Sequence, residues 1–376
     1  MAAVEDQIAR LLSGAPYWMP PEDKSLALLE VLREQLGRAC QSNAGLRNYM
    51  LHWPIELRSA RKVADLPYLP VGLLKARPPL SLVDAKQIKR ILTSSSTTGQ
   101  TPSRVVLDSV TARRMTKGVV AIVQDFIGSA RRPYLVVDVE DSVRAGGELG
   151  ARGAAIRSLQ PFAGELAYAL GYGSRGELRL ERDKVLDFAK RKRVGPVLIY
   201  GFTYIIWNCL VKPLAAAGIC LDMPEARILH SGGWKRLQEE AVEKGEFNRS
   251  VARVFGCSPD CVIDFYGMIE QVGVIYPDCK EGNKHAPRFA EVIVRDPLTL
   301  EPVCEGEFGI LQVCSVLPGS FPGHLLLTED MAQVVMYDGC PCGRRGIGFR
   351  FAGRVPKAEM RGCGNLDNRR WHVPAA

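Results

Sequence analysis

Apolar residues repeat at two different spacings along this chain, and the change in spacing predicts its organisation. Over roughly the first 50 residues they recur every three or four positions, which is typical of amphipathic helices. The clearest run follows Pro20 and Pro21 and consists of Leu26, Leu29, Leu32, Leu36 and Cys40. A proline-rich connector occupies residues 66–79. We therefore predict a helical N-terminal segment with its connector over residues 1–84.

From residue 85 onwards, short apolar runs alternate with longer amphipathic stretches. This alternation predicts an α/β body over residues 85–285. Strands are expected at 87–92, 104–107, 134–139, 197–200, 227–230 and 261–265, and helices at 109–127, 183–193, 205–217 and within 234–255. The glycine-rich, charged stretch 141–153 is predicted to be a mobile surface loop.

The pattern changes again near residue 285. Apolar or alternating runs occupy 289–295, 307–315, 323–336 and 346–351, and a hairpin-like connection with Asp296 and Pro297 joins the first two. Such spacing is typical of strands without intervening helices. We predict a β-rich subdomain over residues 286–353, with the form of a distorted barrel or sheet layer, and a short tail over 354–376.

A loop rich in hydroxyl groups separates the first two predicted strands. Six consecutive residues, Thr93 to Thr98, carry hydroxyls and are followed by Gly99. Backbone N–H groups and hydroxyls in such loops bind phosphate oxygens. The loop lacks the Gly-Lys-Ser/Thr ending of a P-loop, which argues against a nucleoside triphosphatase of the P-loop class. Taken alone, the loop is equally compatible with a flexible Ser/Thr linker.

Composition narrows the class of protein. Hydrophobic residues make up 47% of the chain and charged residues 24%, as in globular enzymes. The net charge of +8 is dispersed and no aromatic residues accompany the basic runs, so we expect no nucleic-acid partner. No apolar stretch approaches the ~20 residues of a membrane span. Eleven scattered cysteines and an N-terminus that contains Glu5, Asp6 and Arg10 favour a reduced, cytoplasmic location.

A possible dinucleotide fingerprint is discounted. Gly171, Gly173 and Gly176 have the spacing of Gly-x-Gly-x-x-Gly. The preceding run, 164–170, resembles a helix, whereas the fingerprint must follow a strand. We predict an ordinary glycine-rich turn.

Four further turns follow the hydroxyl loop in order. They are the segments 230–235 (His-Ser-Gly-Gly-Trp-Lys), 264–271 (Asp-Phe-Tyr-Gly-Met-Ile-Glu-Gln), 328–330 (Thr-Glu-Asp) and 353–354 (Gly-Arg). Each alone is an ordinary turn. Their order and spacing, from about 85 to 365, resemble the adenylate-forming superfamily of acyl ligases. The Gly-Gly-Trp-Lys and Arg-Gly-Cys elements are similar to those of the acyl-protein synthetases of bacterial luminescence (LuxE type).

This resemblance implies the α/β and β-barrel architecture of an adenylate-forming N-terminal domain, with ATP and Mg²⁺ as cofactors. Tyr266 and Gly267 would line the nucleotide and acyl-adenylate site, Glu270 would reach Mg²⁺, Asp330 would bind the ribose hydroxyls, and Arg354 would lie near the sugar or α-phosphate. The residues implied at the β- and γ-phosphates are Ser94, Ser95, Ser96, Thr97, Thr98 and Gly99. Those implied at the floor of the adenine pocket are Ser231, Gly232 and Gly233.

The chain also departs from the superfamily pattern. Ser96 stands where glycine is commonest, no lysine trails the loop, and Ile269 replaces a common threonine. Only the short stretch 355–376 follows Arg354, where related acyl-CoA ligases carry a C-terminal domain with a catalytic lysine. The expectation is therefore a truncated architecture in which the second half-reaction does not use the usual domain rotation.

Cys363 is the candidate acyl acceptor. It lies between Gly362 and Gly364, and Arg361, Arg369 and Arg370 are near enough in sequence to lower its pKa. The alternative is a bystander thiol. LuxE-type enzymes accept their acyl group on a cysteine near the C-terminus. The resemblance implies that Cys363 occupies a similar position. A thiolate that captures the acyl group would divide one difficult transfer into two easier ones.

A second group of residues predicts a structural zinc site. Cys279, His285, Cys340 and Cys342 offer three thiols and one imidazole, a set that suits tetrahedral zinc. This region also resembles that of proteins similar to phenylacetate-CoA ligase, and the resemblance implies a comparable structural metal. The alternative is a pair of unrelated loops.

These observations lead to one main hypothesis and two alternatives. The main hypothesis is an ATP-dependent ligase that converts a carboxylic acid, fatty-acid-like by analogy, to acyl-AMP. The acyl group then passes to Cys363 and on to an acceptor protein such as a reductase or carrier protein. The first alternative transfers the acyl group directly to CoA or a carrier-protein thiol. The second is a non-catalytic, zinc-stabilised binding module.

Overall fold

The computed structural model describes residues 2–94, 101–144, 148–192, 194–234, 241–271 and 273–355. Its α-helices are α1 (Ala2–Ser13), α2 (Pro21–Ser42), α3 (Ala44–Leu51), α4 (Ser109–Ile127), α5 (Ala151–Ser158), α6 (Arg182–Arg191), α7 (Thr203–Ile205), α8 (Lys212–Ala216) and α9 (Lys244–Phe255). A π-helical stretch, Ile206–Val211, joins α7 to α8. Short 3₁₀ helices span Val63–Asp65, Val71–Lys75, Ala85–Gln87, Glu140–Val143, Gln160–Phe162, Pro259–Cys261 and Ile269–Gln271.

The strands form four sheets. They are β1 (Leu69–Pro70), β2 (Arg90–Thr93), β3 (Arg104–Leu107), β4 (Arg132–Val136), β5 (Glu148–Gly150), β6 (Ala163–Tyr168), β7 (Leu170–Tyr172), β8 (Leu178–Leu180), β9 (Val197–Phe202), β10 (Ala226–Ser231), β11 (Val262–Tyr266), β12 (Tyr276–Pro277), β13 (Lys284–His285), β14 (Ala290–Arg295), β15 (Phe308–Ser315), β16 (Leu325–Met336) and β17 (Gly348–Arg354).

The first large sheet has the strand order β12-β11-β10-β9-β4-β6 and is parallel except for β12. Strand β9 is buried along nearly its whole length, as expected for a strand covered on both faces. Ser231 lies opposite both Phe202 and Phe265, so strands β9, β10 and β11 end side by side. The loops that follow these three strands therefore emerge at one edge of the sheet.

The second large sheet has the order β13-β17-β16-β15-β14 and is antiparallel, with the short β1 added parallel to β16. Helices α1 and α2 bury their apolar faces in the same core as this sheet. Leu28, Leu32 and Leu36, spaced four apart on α2, are almost fully buried there. The first 50 or so residues are thus helical, as their periodicity predicts, and pack against strands more than 200 residues away in sequence.

The two strands that flank the hydroxyl loop in sequence pair with each other. Thr93 pairs with Arg104 in the antiparallel ladder between β2 and β3. Asp108 caps α4 by accepting a hydrogen bond of 2.7 Å from the Thr111 N–H. This confirms the predicted strand at 104–107 and the helix that begins at Ser109.

Two local predictions are wrong. Stretch 141–153, predicted to be a mobile loop, contains the end of a 3₁₀ helix, strand β5 and the start of α5. Strand β5 pairs with β2. Arg152 forms an ion pair with the buried Asp138, which follows strand β4 in sequence. The glycine content of the stretch does not indicate either contact. The run 164–170, predicted to be helical, contains strand β6. The turn between β7 and β8 around Gly173 and Gly176 is nevertheless the predicted glycine-rich turn.

None of the helices within the described part of the chain is both long and apolar enough to cross a membrane.

Candidate active site and candidate metal centre

The end of strand β10 presents open backbone. The Ser231 hydroxyl lies 3.1 Å from the Tyr200 hydroxyl, and the Ser231 carbonyl accepts a hydrogen bond from the Thr203 hydroxyl at 3.2 Å. Gly232 has φ +78°, a left-handed conformation that favours glycine. A Cβ placed on Gly233 would meet no atom of the described residues within 4 Å. A flat ligand can therefore approach this backbone closely, at the strand-end crevice where α/β sheets bind ligands.

Tyr266 joins the two large sheets. It ends strand β11, and its hydroxyl donates a hydrogen bond of 2.8 Å to Oδ2 of Asp330 on strand β16. Asp330 pairs in register with Arg354, whose Nε lies 3.7 Å from Oδ1. The ring of Phe351 stacks on Tyr266 at 5.1 Å between centroids. The structure thus brings together three residues that the sequence predicts at one nucleotide.

The electrostatics of this contact leave Asp330 able to bind more donors. Burial raises the pKa of Asp330, and the hydrogen bond from Tyr266 and the charge of Arg354 act in the opposite direction. Burial also holds the pKa of Tyr266 well above its usual value, so the phenol remains a donor. A carboxylate offers about four lone-pair positions. The Tyr266 hydroxyl donates to one of them, which leaves positions for a pair of ribose hydroxyls.

Glu270 lies at the base of the hydroxyl loop. It is buried in the 3₁₀ helix Ile269–Gln271, and burial raises its pKa although a hydrogen bond with Ser103 opposes the shift. Ser103 also donates its N–H to the Ser94 hydroxyl at 2.8 Å, and the Ser94 N–H donates to the Ser103 carbonyl at 3.0 Å. A predicted Mg²⁺ ligand and the first residue of the predicted phosphate loop are therefore linked through one serine.

The turns that carry these residues are tightly packed. A Cβ on Gly273 would lie 2.5 Å from the Cα of Met115, and one on Gly118 would lie 2.7 Å from the Gly273 carbonyl. Helix α4 therefore abuts the turn that follows Glu270. Gly267 is less crowded, because a Cβ placed on it would lie 3.2 Å from the Ile275 side chain.

Some predicted residues cannot be placed. Ser95, Ser96, Thr97, Thr98, Gly99 and Cys363 lie outside the described residues. Their roles at the phosphates and as acyl acceptor stay predictions.

Sequence reasoning missed a buried ionic network behind the strand ends. The Lys284 ammonium, only 4% exposed, lies 2.9 Å from Asp264 and 3.0 Å from Asp278. Asp264 is also 3.7 Å from Nδ1 of His230, which precedes Ser231. The two carboxylates raise the pKa of Lys284 against the opposing effect of burial. No local pattern indicates that this lysine is buried, because lysine is among the residues most often exposed.

Ser103 and Phe351 were also missed as site residues. Ser103 follows the hydroxyl loop and directly precedes strand β3, and this position next to the loop was the available signal. Phe351 carries no such signal, because its position over Tyr266 depends on pairing between β16 and β17.

The predicted zinc ligands converge. The ligand atoms of Cys279, His285, Cys340 and Cys342 all lie within 4.8 Å of one another. Sγ of Cys342 is 3.5 Å from Nε2 of His285. Tetrahedral zinc with bonds of 2.0–2.3 Å needs ligand separations of roughly 3.3–3.8 Å. The donor set and its spacing therefore fit zinc.

Protonation in this cluster is consistent with metal binding. Burial lowers the pKa of His285 to about 4, which leaves the imidazole neutral at neutral pH. Burial alone would raise the pKa of Cys342, yet hydrogen bonds from the Arg344 N–H and the neighbouring thiols lower it. Burial raises the pKa of Cys279 to about 12. Cys342 is thus the most acidic of the shifted thiols and the first expected to form a thiolate.

The fold and this arrangement of turns define an adenylate-forming ligase architecture. A 2-hydroxyisobutyryl-CoA ligase in complex with its acyl-AMP and CoA superposes with a TM-score of 0.67 at 14% identity, over 91% of this chain and 77% of that one. The same ligase in its postadenylation state gives 0.66 at 15% identity, over 90% and 69%. The predicted fold class is confirmed.

The sequence identifies the family within this class. A sequence model of the family described as acyl-protein synthetase, LuxE, matches residues 2–371, and the chain belongs to this family of ligases. It is 29% identical over 138 residues to a long-chain-fatty-acid–luciferin-component ligase of Vibrio harveyi, and 25% identical over 137 residues to that of Aliivibrio fischeri. Each match spans 36% of this chain and 35% of the relative, about a third of its length.

Proposed function

We propose that this protein activates a carboxylic acid with ATP and passes the acyl group to a thiol. The observation that carries the proposal is the contact between Tyr266 and Asp330, which joins the strand-end crevice to the second sheet. Adenylate formation needs adenine, ribose and phosphates held in one place. Tyr266 follows Phe265, which pairs with Ser231, and Glu270 is near enough to Asp330 for their charges to interact.

In this proposal, Gly232 and Gly233 contact the adenine, Asp330 accepts from the ribose hydroxyls, and Arg354 lies beside the sugar or α-phosphate. Segment 94–99 binds the β- and γ-phosphates. Glu270 holds Mg²⁺, which stabilises the negative charge that develops on the phosphate oxygens. A carboxylate oxygen of the substrate forms a bond to the α-phosphorus, and pyrophosphate leaves with the bonding electron pair.

The second step transfers the acyl group. The Cys363 thiolate attacks the acyl carbonyl, AMP leaves, and a thioester remains for delivery to an acceptor protein. The substrate class we propose is a fatty-acid-like carboxylic acid, which is supported by family membership and by the names of the bacterial relatives. CoA or a carrier-protein thiol is the alternative direct acceptor.

Pyrophosphate release with a panel of carboxylic acids tests the first step. We expect release that depends on ATP, Mg²⁺ and a medium- or long-chain fatty acid. Absence of release with every acid would favour a non-catalytic binding module and overturn the proposal.

Intact-protein mass spectrometry tests the second step. With ATP and an active acid, the wild-type chain should gain one acyl mass that hydroxylamine removes, and Cys363→Ser should not. A matched control is Cys304→Ser, which removes an exposed thiol. A hydroxylamine-labile acyl adduct that persists in Cys363→Ser contradicts the role of Cys363. CoA-thioester formation by Cys363→Ala would favour direct transfer.

We also propose that Cys279, His285, Cys340 and Cys342 bind a structural zinc ion. The ion would hold the turn before strand β13 against the loop before β17. Protein purified without chelator should contain close to one zinc per chain, and less than about 0.2 would count against the site.

A further inference from the structure

The connector between the N-terminal helices and the α/β body runs beside the proposed nucleotide site. Strand β1 lies in this connector and pairs in parallel with β16, where Pro70 is opposite Leu327. The 3₁₀ helix that follows buries Val71 and Leu74. Asp330 comes only a few residues after Leu327 on β16. The connector is therefore held against the strand that carries Asp330.

Lys75 is one of two cations that the connector brings to this site. Its ammonium lies 3.3 Å from Oε1 of Glu329, the residue before Asp330. Burial raises the pKa of Glu270, and the charge of Lys75 acts in the opposite direction, so the two side chains are near enough to interact electrostatically. Lys75 thus already interacts with two carboxylates.

Arg77 is the second cation, and it lies at the end of the hydroxyl loop. Its Nη2 donates a hydrogen bond of 3.2 Å to the Pro102 carbonyl. The next residue, Ser103, is hydrogen-bonded both to Ser94 and to Glu270. Arg77 therefore contacts the residue beside the serine that links the two ends of the loop to the proposed Mg²⁺ ligand.

The charge of Arg77 is not neutralised within the described part of the chain. Its other hydrogen bonds go from Nη1 to the Lys75 and Ala76 carbonyls, and none goes to a carboxylate. The side chain is exposed. By contrast, Lys75 and Arg354 each face a carboxylate of strand β16. A guanidinium has five N–H donors, so Arg77 keeps donors as well as charge for a ligand.

The hydroxyl loop has no cation of its own. Neither lysine nor arginine occurs from Thr93 to Ser103, so the loop offers a phosphate only hydroxyl and backbone N–H donors. Enzymes that bind nucleoside triphosphates commonly add a basic side chain to Mg²⁺ at the β- and γ-phosphates. Arginine suits this task because its planar fork matches phosphate oxygens.

We propose that Arg77 binds the β- and γ-phosphates of ATP and supplies the cation that the hydroxyl loop lacks. This inference rests on the acid-activating function proposed above. The guanidinium would keep one N–H on the Pro102 carbonyl and direct the others at phosphate oxygens. AMP lacks these two phosphates and would bind without Arg77.

Calorimetric titration with ATP and with AMP, both with Mg²⁺, tests the proposal on the full chain. Arg77→Gln should weaken ATP binding about tenfold or more and leave AMP binding unchanged. Arg77→Lys should recover part of the loss, because it keeps the charge but not the fork. The matched control is Arg90→Gln, which alters an exposed arginine at the far end of the β2–β3 pair, opposite Leu107. It should bind both nucleotides as the wild type does.

Chemical modification of the wild-type chain gives a second readout that does not depend on how a variant folds. Phenylglyoxal modifies exposed arginines, and peptide mass spectrometry locates the modified residues. ATP with Mg²⁺ should protect Arg77 from the reagent, whereas AMP should not, and Arg90 should react equally in all samples. A residue that only supported the loop from outside would gain no such nucleotide-specific protection.

The results separate this inference from the function on which it rests. A wild-type chain that binds no ATP would overturn both. A wild-type chain that binds ATP, together with equal ATP affinity in Arg77→Gln or equal modification of Arg77 with and without ATP, would overturn the role of Arg77 alone.

Discussion

Strand β17 has a different kind of site at each end. It begins with Gly348, which pairs with His285 of the four-residue Cys/His cluster, and it ends with Arg354, which pairs with Asp330 beside Tyr266. At the first end, four ligand atoms lie within 4.8 Å of one another, and three of the four residues are buried. At the second end, Arg354 is 70% exposed and the glycine backbone after Ser231 is open.

This difference indicates that the two ends of strand β17 suit different functions. A compact set of soft ligands can be closed by one ion and then needs no solvent access, which suits a structural role. The Tyr266 end keeps unused acceptors and exposed backbone, which suits a ligand that must enter and leave. Lys284 connects the two, because it neighbours His285 in sequence and binds Asp264, two residues before Tyr266.

The largest expected effect comes from removing one ligand of the Cys/His cluster at the start of strand β17. Cys342→Ser should reduce bound zinc from about one per chain to a small fraction and lower the free energy of unfolding by about 5 kcal/mol. Zinc content by mass spectrometry and melting temperature are the measurements. Cys304→Ser, at an exposed thiol, should change neither. Full zinc occupancy in Cys342→Ser would remove the distinction between the two ends.

Removing the charge of Lys284, which connects the two ends of strand β17, should lower the free energy of unfolding nearly as much. Lys284→Met leaves the partly buried Asp264 and Asp278 without their shared cation, which should cost about 3 kcal/mol in urea unfolding. Lys280→Met, at an exposed lysine in the preceding turn, should stay within about 0.5 kcal/mol of wild type. Equal costs in the two variants would show that the buried ion pairs do not support the strand ends.

Asp330→Asn tests the proposed nucleotide site beside Tyr266, at the end of strand β17. The variant removes a charged acceptor, so ATP affinity should fall about tenfold to a hundredfold while stability changes by less than about 1 kcal/mol. Glu329→Gln changes the neighbouring side chain, whose pair with Lys75 is largely exposed, and should leave ATP affinity unchanged. Calorimetry with ATP and Mg²⁺ distinguishes them. A stability loss without an affinity loss in Asp330→Asn would make this end structural as well.

The smallest expected effect is a shift in pH dependence. As the proposed Mg²⁺ ligand, Glu270 would bind the ion only when ionised. Burial raises its pKa, so Mg²⁺-dependent ATP binding should weaken on acidification at a higher pH than for an ordinary glutamate. Without Mg²⁺, the folded pKa above the unfolded one means that stability falls as pH rises between them.

Titration of Mg²⁺-dependent ATP binding against pH measures this effect. Glu270→Gln should bind weakly with a flattened profile, and Glu281→Gln, at an exposed glutamate, should keep the wild-type midpoint. A wild-type midpoint at or below that of an exposed glutamate would contradict the assignment.

Much of the fold follows from local patterns. The helix predicted at 109–127 agrees with α4, and apolar runs predict β3, β10 and β11 to within one or two residues. These succeed because periodicity, caps and turns act over a few neighbouring positions. Stretch 141–153 fails because pairing of β5 with the distant β2 overrides its glycine content.

The candidate sites divide in the same way. Cys340 and Cys342 and the turn around Tyr266 are recognisable from residue type and order. Lys284 and Phe351 are not, because burial of a cation between two carboxylates and stacking on Tyr266 depend on which strands pair. Ser103 lies between these cases, since it closes a loop that is visible in the sequence but reaches Glu270 only in the folded chain.

Local sequence patterns predict most of the helices and strands, the turns with chemical groups, and the family. Only the packing of distant segments makes Tyr266 meet Asp330, brings the four Cys and His ligand atoms together, and buries Lys284 between Asp264 and Asp278. The physical reason is range. Backbone propensity and capping depend on adjacent residues, whereas hydrogen bonds, ion pairs and ligand sets between distant segments exist only after sheets pack and water is excluded.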